Sequence, residues 1–177
     1  MEIKRLIVGE LETNCYLFIS NNDLVVIDPG DESEKILKEI GRIKAEVKYI
    51  INTHYHFDHI SANQMIKKET GAQILIHENE RAFIDFNVDK FLQDGSEIKI
   101  GEVVLKIIHT PGHTKGGICL LGEDFIFTGD TLFKGAYGRT DLSGGSQEDL
   151  IKSLKMLSKL LKPGMMVYPG HGEIFKI

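Results

Sequence analysis

The stretch INTHYHFDHI, residues 51–60, sets His54, His56, Asp58 and His59 within six consecutive positions of a chain that has 7 histidines in all. Shuffling the same composition would produce H-x-H-x-D-H in about one chain in a thousand or fewer, so the pattern calls for a chemical cause. Imidazole and carboxylate are donors that first-row cations take, which makes metal binding the expectation. At a strand end, side chains two residues apart point the same way, so His54 and His56 can grip one cation from one side. Where the chain turns into a helix, Asp58 and His59 face elsewhere and would serve a second cation, for which the motif alone offers too few donors.

Three later stretches supply the missing groups: HTPGHT gives His113, FTGDT gives Asp130 and YPGHGE gives His171, each following an apolar strand. Strand ends are where folds present functional loops, and Pro-Gly ahead of His113 and His171 permits a tight turn that aims the imidazole. A pair of cations needs a bridging carboxylate; Asp130 is the first candidate and Asp28, in IDPG, the next. His77 and His109 lie inside strand-like runs and are assigned to structure. Gly144-Gly145 and GAYG at 135–138 are flexible-loop signals. No G-x-x-x-x-G-K-[ST] loop and no G-x-S-x-G elbow occurs, which removes nucleotide and serine-nucleophile chemistry.

The rest of the chain narrows the class. At 177 residues it fits one domain able to bury its own core, and 42% hydrophobic with 27% charged residues is ordinary globular composition. A formal charge of −5 without a basic cluster argues against nucleic acid and for a small-molecule substrate. The start MEIKRLIVGE lacks the apolar run of a signal peptide and no segment reaches membrane-spanning length, so no membrane partner and a cytoplasmic location are expected. Cys15 and Cys119, in apolar stretches, read as buried thiols in a reducing compartment.

Short β-rich runs at 3–8, 14–19 and 24–28, with the last two joined by a turn at Ser20-Asn21-Asn22-Asp23, predict an antiparallel start. DESEKILKEIGRI predicts a surface helix capped by Ser33 and stopped at Gly41. EVKYIIN reads as a buried strand running into the histidine motif, and ISANQMIKKETG as a helix closed by Gly71. AQILIH is another strand, whereas 78–95 mixes charges with Phe83, Phe86 and Phe91 and reads as a short helix or a lid. SEIKI, EVVLKIIH, GICLL and DFIFTGD are strands, SQEDLIKSLKMLSKLL is a helix capped by Ser146 with Asp149, and MMVYPGHG is the last strand. Both halves contain a strand ending in Asp (Asp28, Asp130), a helix, and a strand ending at a histidine (His54, His171). With helices able to cover only outward faces, two packed sheets with helices outside is the natural architecture.

THYHFDH, HTPGHT, FTGDT and PGHG, in this order and covering nearly the whole chain, resemble the metallo-β-lactamase fold, specifically its glyoxalase II-like branch. The resemblance implies an α/β protein, a four-layer αββα sandwich of two mixed β-sheets packed together. It implies one metal held by His54, His56 and His113, another by Asp58, His59 and His171, and Asp130 bridging. The implied activity is hydrolysis of a thioester or ester by a metal-bridging hydroxide that Asp58 or Asp130 orients. Two divalent metal ions are the expected cofactors, Zn first, with Fe or Mn suiting the same donors. Glyoxalase II enzymes carry a C-terminal helical region with glutathione contacts; this sequence stops at Ile177, six residues after His171, so little preference for glutathione conjugates is expected. Arg139, Thr140 and Asp141 look like the G-R-[ST]-D loop of short glyoxalase II-like proteins and persulfide dioxygenases, making Arg139 a candidate substrate contact. The competing implication is a mono-iron persulfide dioxygenase of sulfur metabolism built on His54, His113 and Asp130.

Overall fold

Alternation along the central strands decides which side chains meet. In β3 (Asp23–Ile27), Val25 and Ile27 enter one apolar cluster while Leu24 and Val26 enter another, and all four are buried, as a strand covered on both faces requires. The computed structural model describes residues 1–177. Its first sheet has six strands in the order β1 (Glu2–Val8), β2 (Thr13–Ser20), β3, β4 (Glu46–Ile51), β5 (Gln73–His77) and β6 (Lys90–Leu92). Pairing is antiparallel from β1 to β3 and parallel from β3 to β6.

The second half of the chain contributes β7 (Glu97–Ile100), β8 (Val103–His109), β9 (Ile118–Leu121), β10 (Phe125–Gly129), the two-stranded hairpin of β11 (Leu132–Phe133) and β12 (Ala136–Tyr137), β13 (Met166–Pro169) and β14 (Phe175–Lys176). Six of these form a second sheet in the order β14-β13-β10-β9-β8-β7, with β10 and β13 parallel and the other pairs antiparallel. Between the sheets lie Tyr16, Phe18, Val25, Ile27 and Ile51 from one side and Leu105, Ile107, Leu120, Phe125 and Phe127 from the other. Helices α1 (Ser33–Ile40) and α3 (Asn63–Thr70) cover the outer face of the first sheet through Ile36, Ile40 and Ile66. Helix α4 (Gln147–Leu160) covers the second through Leu157. The result is the expected sandwich of two mixed sheets with helices outside. The repeat between the halves is also present: β3–α1–β4 and β10–α4–β13 are both parallel β-α-β units.

At one end the sheets are joined directly. Asn14 N–H donates to the Gly170 carbonyl at 2.7 Å and Ile118 N–H to the Thr53 carbonyl at 2.9 Å. The Tyr16 hydroxyl, its ring 1% exposed, donates to the Pro169 carbonyl at 2.7 Å. These contacts flank the positions at which the strands hand over to His54 and His171.

Several local expectations need correction. Ser33 does not cap α1: the cap position is Glu32, in left-handed backbone at φ 49°, with no side-chain cap bond. The expected helix over 60–70 is split. A short turn, α2 (Phe57–Ile60), ends before α3 because Ala62 N–H is drawn to the Pro29 carbonyl at 3.0 Å and the Asn63 amide pairs with Asn52 at 2.8 Å. Residues 78–95 contain a 3₁₀ helix, Glu78–Phe83, and then β6, the sixth strand of the first sheet. Ser146 does cap α4, accepting from Asp149 N–H at 3.2 Å. Cys15 and Cys119 are free and buried, and burial pushes both thiols up, Cys119 to about 12. No helix is long and apolar enough to cross a membrane.

Phe127 packs against Tyr16 and Tyr168 at ring separations of 5.2 Å each and lies at the centre of the inter-sheet core. Phe127→Ala should cost about 3–5 kcal/mol, read as a lowered urea midpoint at unchanged slope.

Candidate metal centre

Each donor is placed by the end of an element. His54 follows β4 after Asn52 and Thr53; His56 is the residue before α2, and Asp58 and His59 lie in its single turn. His113 lies in the β8–β9 loop, Asp130 directly follows β10, and His171 follows β13 after Gly170. The two sheets thereby bring all seven to one place. His54, His56 and His113 form one group, Asp58, His59 and His171 a second, and His54, His59 and Asp130 a third that links them; within each, the donor atoms lie within 4.8 Å of one another. His59 is therefore less separate from His54 than its place in the motif suggests.

The spacings identify what the arrangement suits. His56 Nδ1 and His113 Nε2 are 2.9 Å apart, His59 Nε2 and His171 Nε2 3.3 Å, and His171 Nε2 and Asp58 Oδ2 3.2 Å. Asp130 reaches both groups, with Oδ2 at 3.5 Å from His113 Nε2 and from His171 Nε2, and Oδ1 at 3.5 Å from His59 Nε2. Tetrahedral coordination with bonds of about 2.0–2.1 Å places neighbouring donors roughly 3.3–3.4 Å apart, so the side chains already stand at the edges of such polyhedra. His54 Nε2 and Asp130 Oδ1 are buried without a hydrogen-bond partner, the condition of donors that await a cation.

Four of the five imidazoles are held from behind through Nδ1. His113 Nδ1 donates to the Arg139 carbonyl at 2.7 Å and His171 Nδ1 to the Leu11 carbonyl at 3.0 Å. His59 Nδ1 lies 3.0 Å from Asp28 Oδ2, and His54 Nδ1 3.1 Å from Thr53 Oγ1. Such contacts fix the tautomer and turn Nε2 inward. Asp28 is thus not a second bridge. Its Oδ1 accepts Thr53 N–H and its Oδ2 the Thr53 hydroxyl, both at 2.7 Å, and it orients His59 from outside the centre. Thr13, which carries no motif signal, donates its hydroxyl to Asp58 Oδ2 at 2.9 Å.

Charge follows the same logic. Burial, reinforced by neighbouring imidazoles, holds His54 well below the usual histidine range and His56 at about 4, so both are neutral donors near pH 7. Burial would lower His59 too, but the carboxylates of Asp130 and Asp28 outweigh it and raise His59 to about 9. Burial would raise Asp58; the His171 hydrogen bond, the charge of His59 and the Thr13 hydroxyl outweigh it and hold the carboxyl well below the usual range. The proton on His59 supplies positive charge where a cation would otherwise supply it.

His77 and His109 stay outside these groups, stacked on each other at 4.2 Å with 7° between the rings. Arg139 borders the centre, yet its guanidinium is engaged by Asp141 through two bonds of 2.7 Å. Above the donors opens a cleft of about 490 Å³ lined in part by Leu11, Phe57, Arg139 and Leu142. A larger concavity of about 840 Å³ lies at the opposite end of the sandwich, around Val104 and Glu123, and contains none of the donors.

The family model of the metallo-β-lactamase superfamily matches residues 8–171, which includes every donor named above. The chain belongs to the metallo-β-lactamase superfamily. It is 31% identical to the hydroxyacylglutathione hydrolase GloC of Haemophilus influenzae, an alignment covering 98% of this chain and 92% of that one. Among solved structures, the BLEG-1 B3 metallo-β-lactamase superposes with a TM-score of 0.92 at 27% identity, covering 99% and 94% of the two chains. ETHE1 from Myxococcus xanthus superposes with a TM-score of 0.90 at 28% identity, covering 99% and 80%. As in other metallo-β-lactamase proteins, the fold is one that binds metal ions.

Gly170 allows Asp130 to approach His171. A Cβ on residue 170 would stand 2.2 Å from Asp130 Oδ1 and 2.8 Å from His59 Cε1. Gly170→Ala should keep the circular dichroism of the fold and lose about 10- to 100-fold in metal affinity, measured by competition with a chromophoric chelator.

Proposed function

We propose that the protein is a dinuclear metal-dependent hydrolase of small thioesters or activated esters. The observation that carries this reading is the full set of seven donors in two groups sharing Asp130 between them. A single first-row ion takes about four to six donors and would leave at least one of these seven unused. His54, His56 and His113 would hold one cation, Asp58, His59 and His171 the other, and Asp130 would lie between them. Zn suits the imidazole and carboxylate donors, and Fe or Mn would be accepted by the same set. When bound, such a pair polarises a carbonyl and lowers the pKa of a shared water to about 7.

The chain's own residues do the rest. Asp58, fixed by the Thr13 hydroxyl, and Asp130 turn carboxylate oxygens toward the centre, where they would orient the attacking water. Leu11, Phe57 and Leu142, exposed by 53%, 68% and 41%, form an apolar rim on which an acyl or thiol substituent can lie. Arg139 gives Asp141 two of its five N–H donors, which leaves others for a substrate group. Likeness to a hydroxyacylglutathione hydrolase spanned over 92% of its length supports thioester chemistry. It also means that a protein of about this extent bears that name, so length alone is a poor argument against glutathione conjugates as substrates.

Metal-replete protein should contain close to two ions per chain by elemental analysis, and a value near one that His171→Ala leaves unchanged would remove the dinuclear reading. Asp130→Asn should lower kcat by about 100-fold or more and weaken metal binding, because a neutral amide screens two cations poorly. Under argon, the zinc- or iron-loaded protein should release thiol from acyl thioesters. Oxygen uptake with a glutathione persulfide by the iron form, without thioester cleavage by any form, would instead establish the mono-iron dioxygenase on His54, His113 and Asp130.

A further inference from the structure

The loop that carries His113 is held by a carboxylate that belongs to the other half of the molecule. Glu80, 0% exposed within the 3₁₀ helix after β5, accepts the Thr114 hydroxyl at 2.5 Å and Gly116 N–H at 2.9 Å, both on Oε1. Between these two, the Lys115 carbonyl accepts from His109 Nε2 at 3.0 Å, and His109 is stacked on His77, whose Nδ1 accepts Asn79 N–H in that same 3₁₀ helix. Three consecutive residues after His113 are thus gripped by one buttress. At its far end, Phe83 stacks on Tyr55 at 4.8 Å and 18°, and Tyr55 lies between His54 and His56. One 3₁₀ helix therefore touches both the His54–His56 segment and the His113 loop.

Glu80 is an unusual choice for mere filling. Its Oε2 is buried with no partner, and burial, partly offset by the Thr114 and Gly116 bonds, pushes the carboxyl up to about 7. A buried acid with an unmatched oxygen costs stability relative to an apolar side chain of the same size. Approach is so close that a Cβ on Gly116 would stand 2.7 Å from Glu80 Cγ. What Glu80 supplies that an apolar residue could not is a fixed acceptor for two donors of the His113 loop.

We propose that Glu80 is a positioning residue for the cation held by His54, His56 and His113, setting the place of His113 through Thr114 and Gly116. This rests on the reading of those three histidines as metal ligands. The experiment is metal binding by the full-length protein, followed with zinc against a chromophoric chelator and with cobalt by its visible spectrum. Glu80→Met should fold but lower the thermal midpoint of the metal-free state, because the buried Thr114 hydroxyl and Gly116 N–H lose their acceptor. It should weaken one of the two binding steps about 10-fold or more and alter the cobalt bands, while the other step stays unchanged. Glu80→Gln keeps an acceptor at Oε1 and should restore both affinity and spectrum. Thr114→Val, which removes one donor without touching Glu80, should show a smaller loss at the same step and decides the matter if Glu80→Met fails to fold. Parent-like affinities and cobalt spectra in Glu80→Met, or in Thr114→Val where Glu80→Met does not fold, would overturn the proposal while leaving the metal centre intact. A parent protein that binds no cation at all would overturn the ligand reading itself, and the proposal with it.

Discussion

The metal centre stands on a seam between two sheets, so its geometry is only as accurate as that joint. Packed sheets usually lie about 10 Å apart and touch through side chains alone. Here they converge at one end until main chain meets main chain, Asn14 to Gly170 and Ile118 to Thr53. Those bonds fall next to the residues that deliver His171 and His54, and the buried Tyr16 hydroxyl adds a third tie at Pro169. Donors from opposite sheets are therefore registered by hydrogen bonds of fixed length, not by the slack of side-chain packing. The aromatic block of Tyr16, Phe127 and Tyr168 lies directly beneath and keeps the joint from shearing.

Crowding the donors costs energy that a cation returns. Without one, a buried imidazole nitrogen of His54 has no partner, and His59 must stay protonated to offset three carboxylates. The framework tolerates this because four of the five imidazoles are engaged from behind: carbonyls of Leu11 and Arg139, the Asp28 carboxylate and the Thr53 hydroxyl each face a ring nitrogen, while His56 Nε2 is buried without a partner. A site preassembled in this way loses little conformational entropy when metal enters.

Side-chain chemistry was legible in the sequence to the extent that spacing encodes it. His54, His56, Asp58 and His59 announce themselves by crowding, and His113, Asp130 and His171 by their place after apolar runs. The partners behind them are less visible: a carbonyl such as that of Leu11 or Arg139 belongs to every residue type, and Thr13 sits in an unremarkable ETNCY. Glu80 was hidden for a different reason. ENERAF lies in the charged stretch read as a short helix or a lid, and only the tertiary approach of Thr114 and Gly116 makes Glu80 a buried acid. Long strands were readable from apolar runs, whereas β6, β11, β12 and β14 are two or three residues long, too short for any period to register. Ser33 misled because a good capping residue sat one position inside the helix, and the chain turned instead through Glu32.

The repeated β-α-β units show how one backbone device can give two chemistries. Both β3 and β10 lead to an aspartate, yet Asp28 points behind His59 while Asp130 faces the centre. Left-handed backbone occurs in both turns but at different places, at Asp28 itself with φ 51° and at Gly129, one residue ahead of Asp130, with φ 47°. Moving the bend by one residue changes the direction in which the carboxylate leaves the main chain. A non-glycine residue in this region costs about 1–3 kcal/mol. At Asp28 two hydrogen bonds to Thr53 and the contact with His59 offset that cost, and at residue 129 glycine avoids it. The first aspartate is thereby committed to orienting His59, and the second, with Oδ1 unpartnered, is left to face the centre.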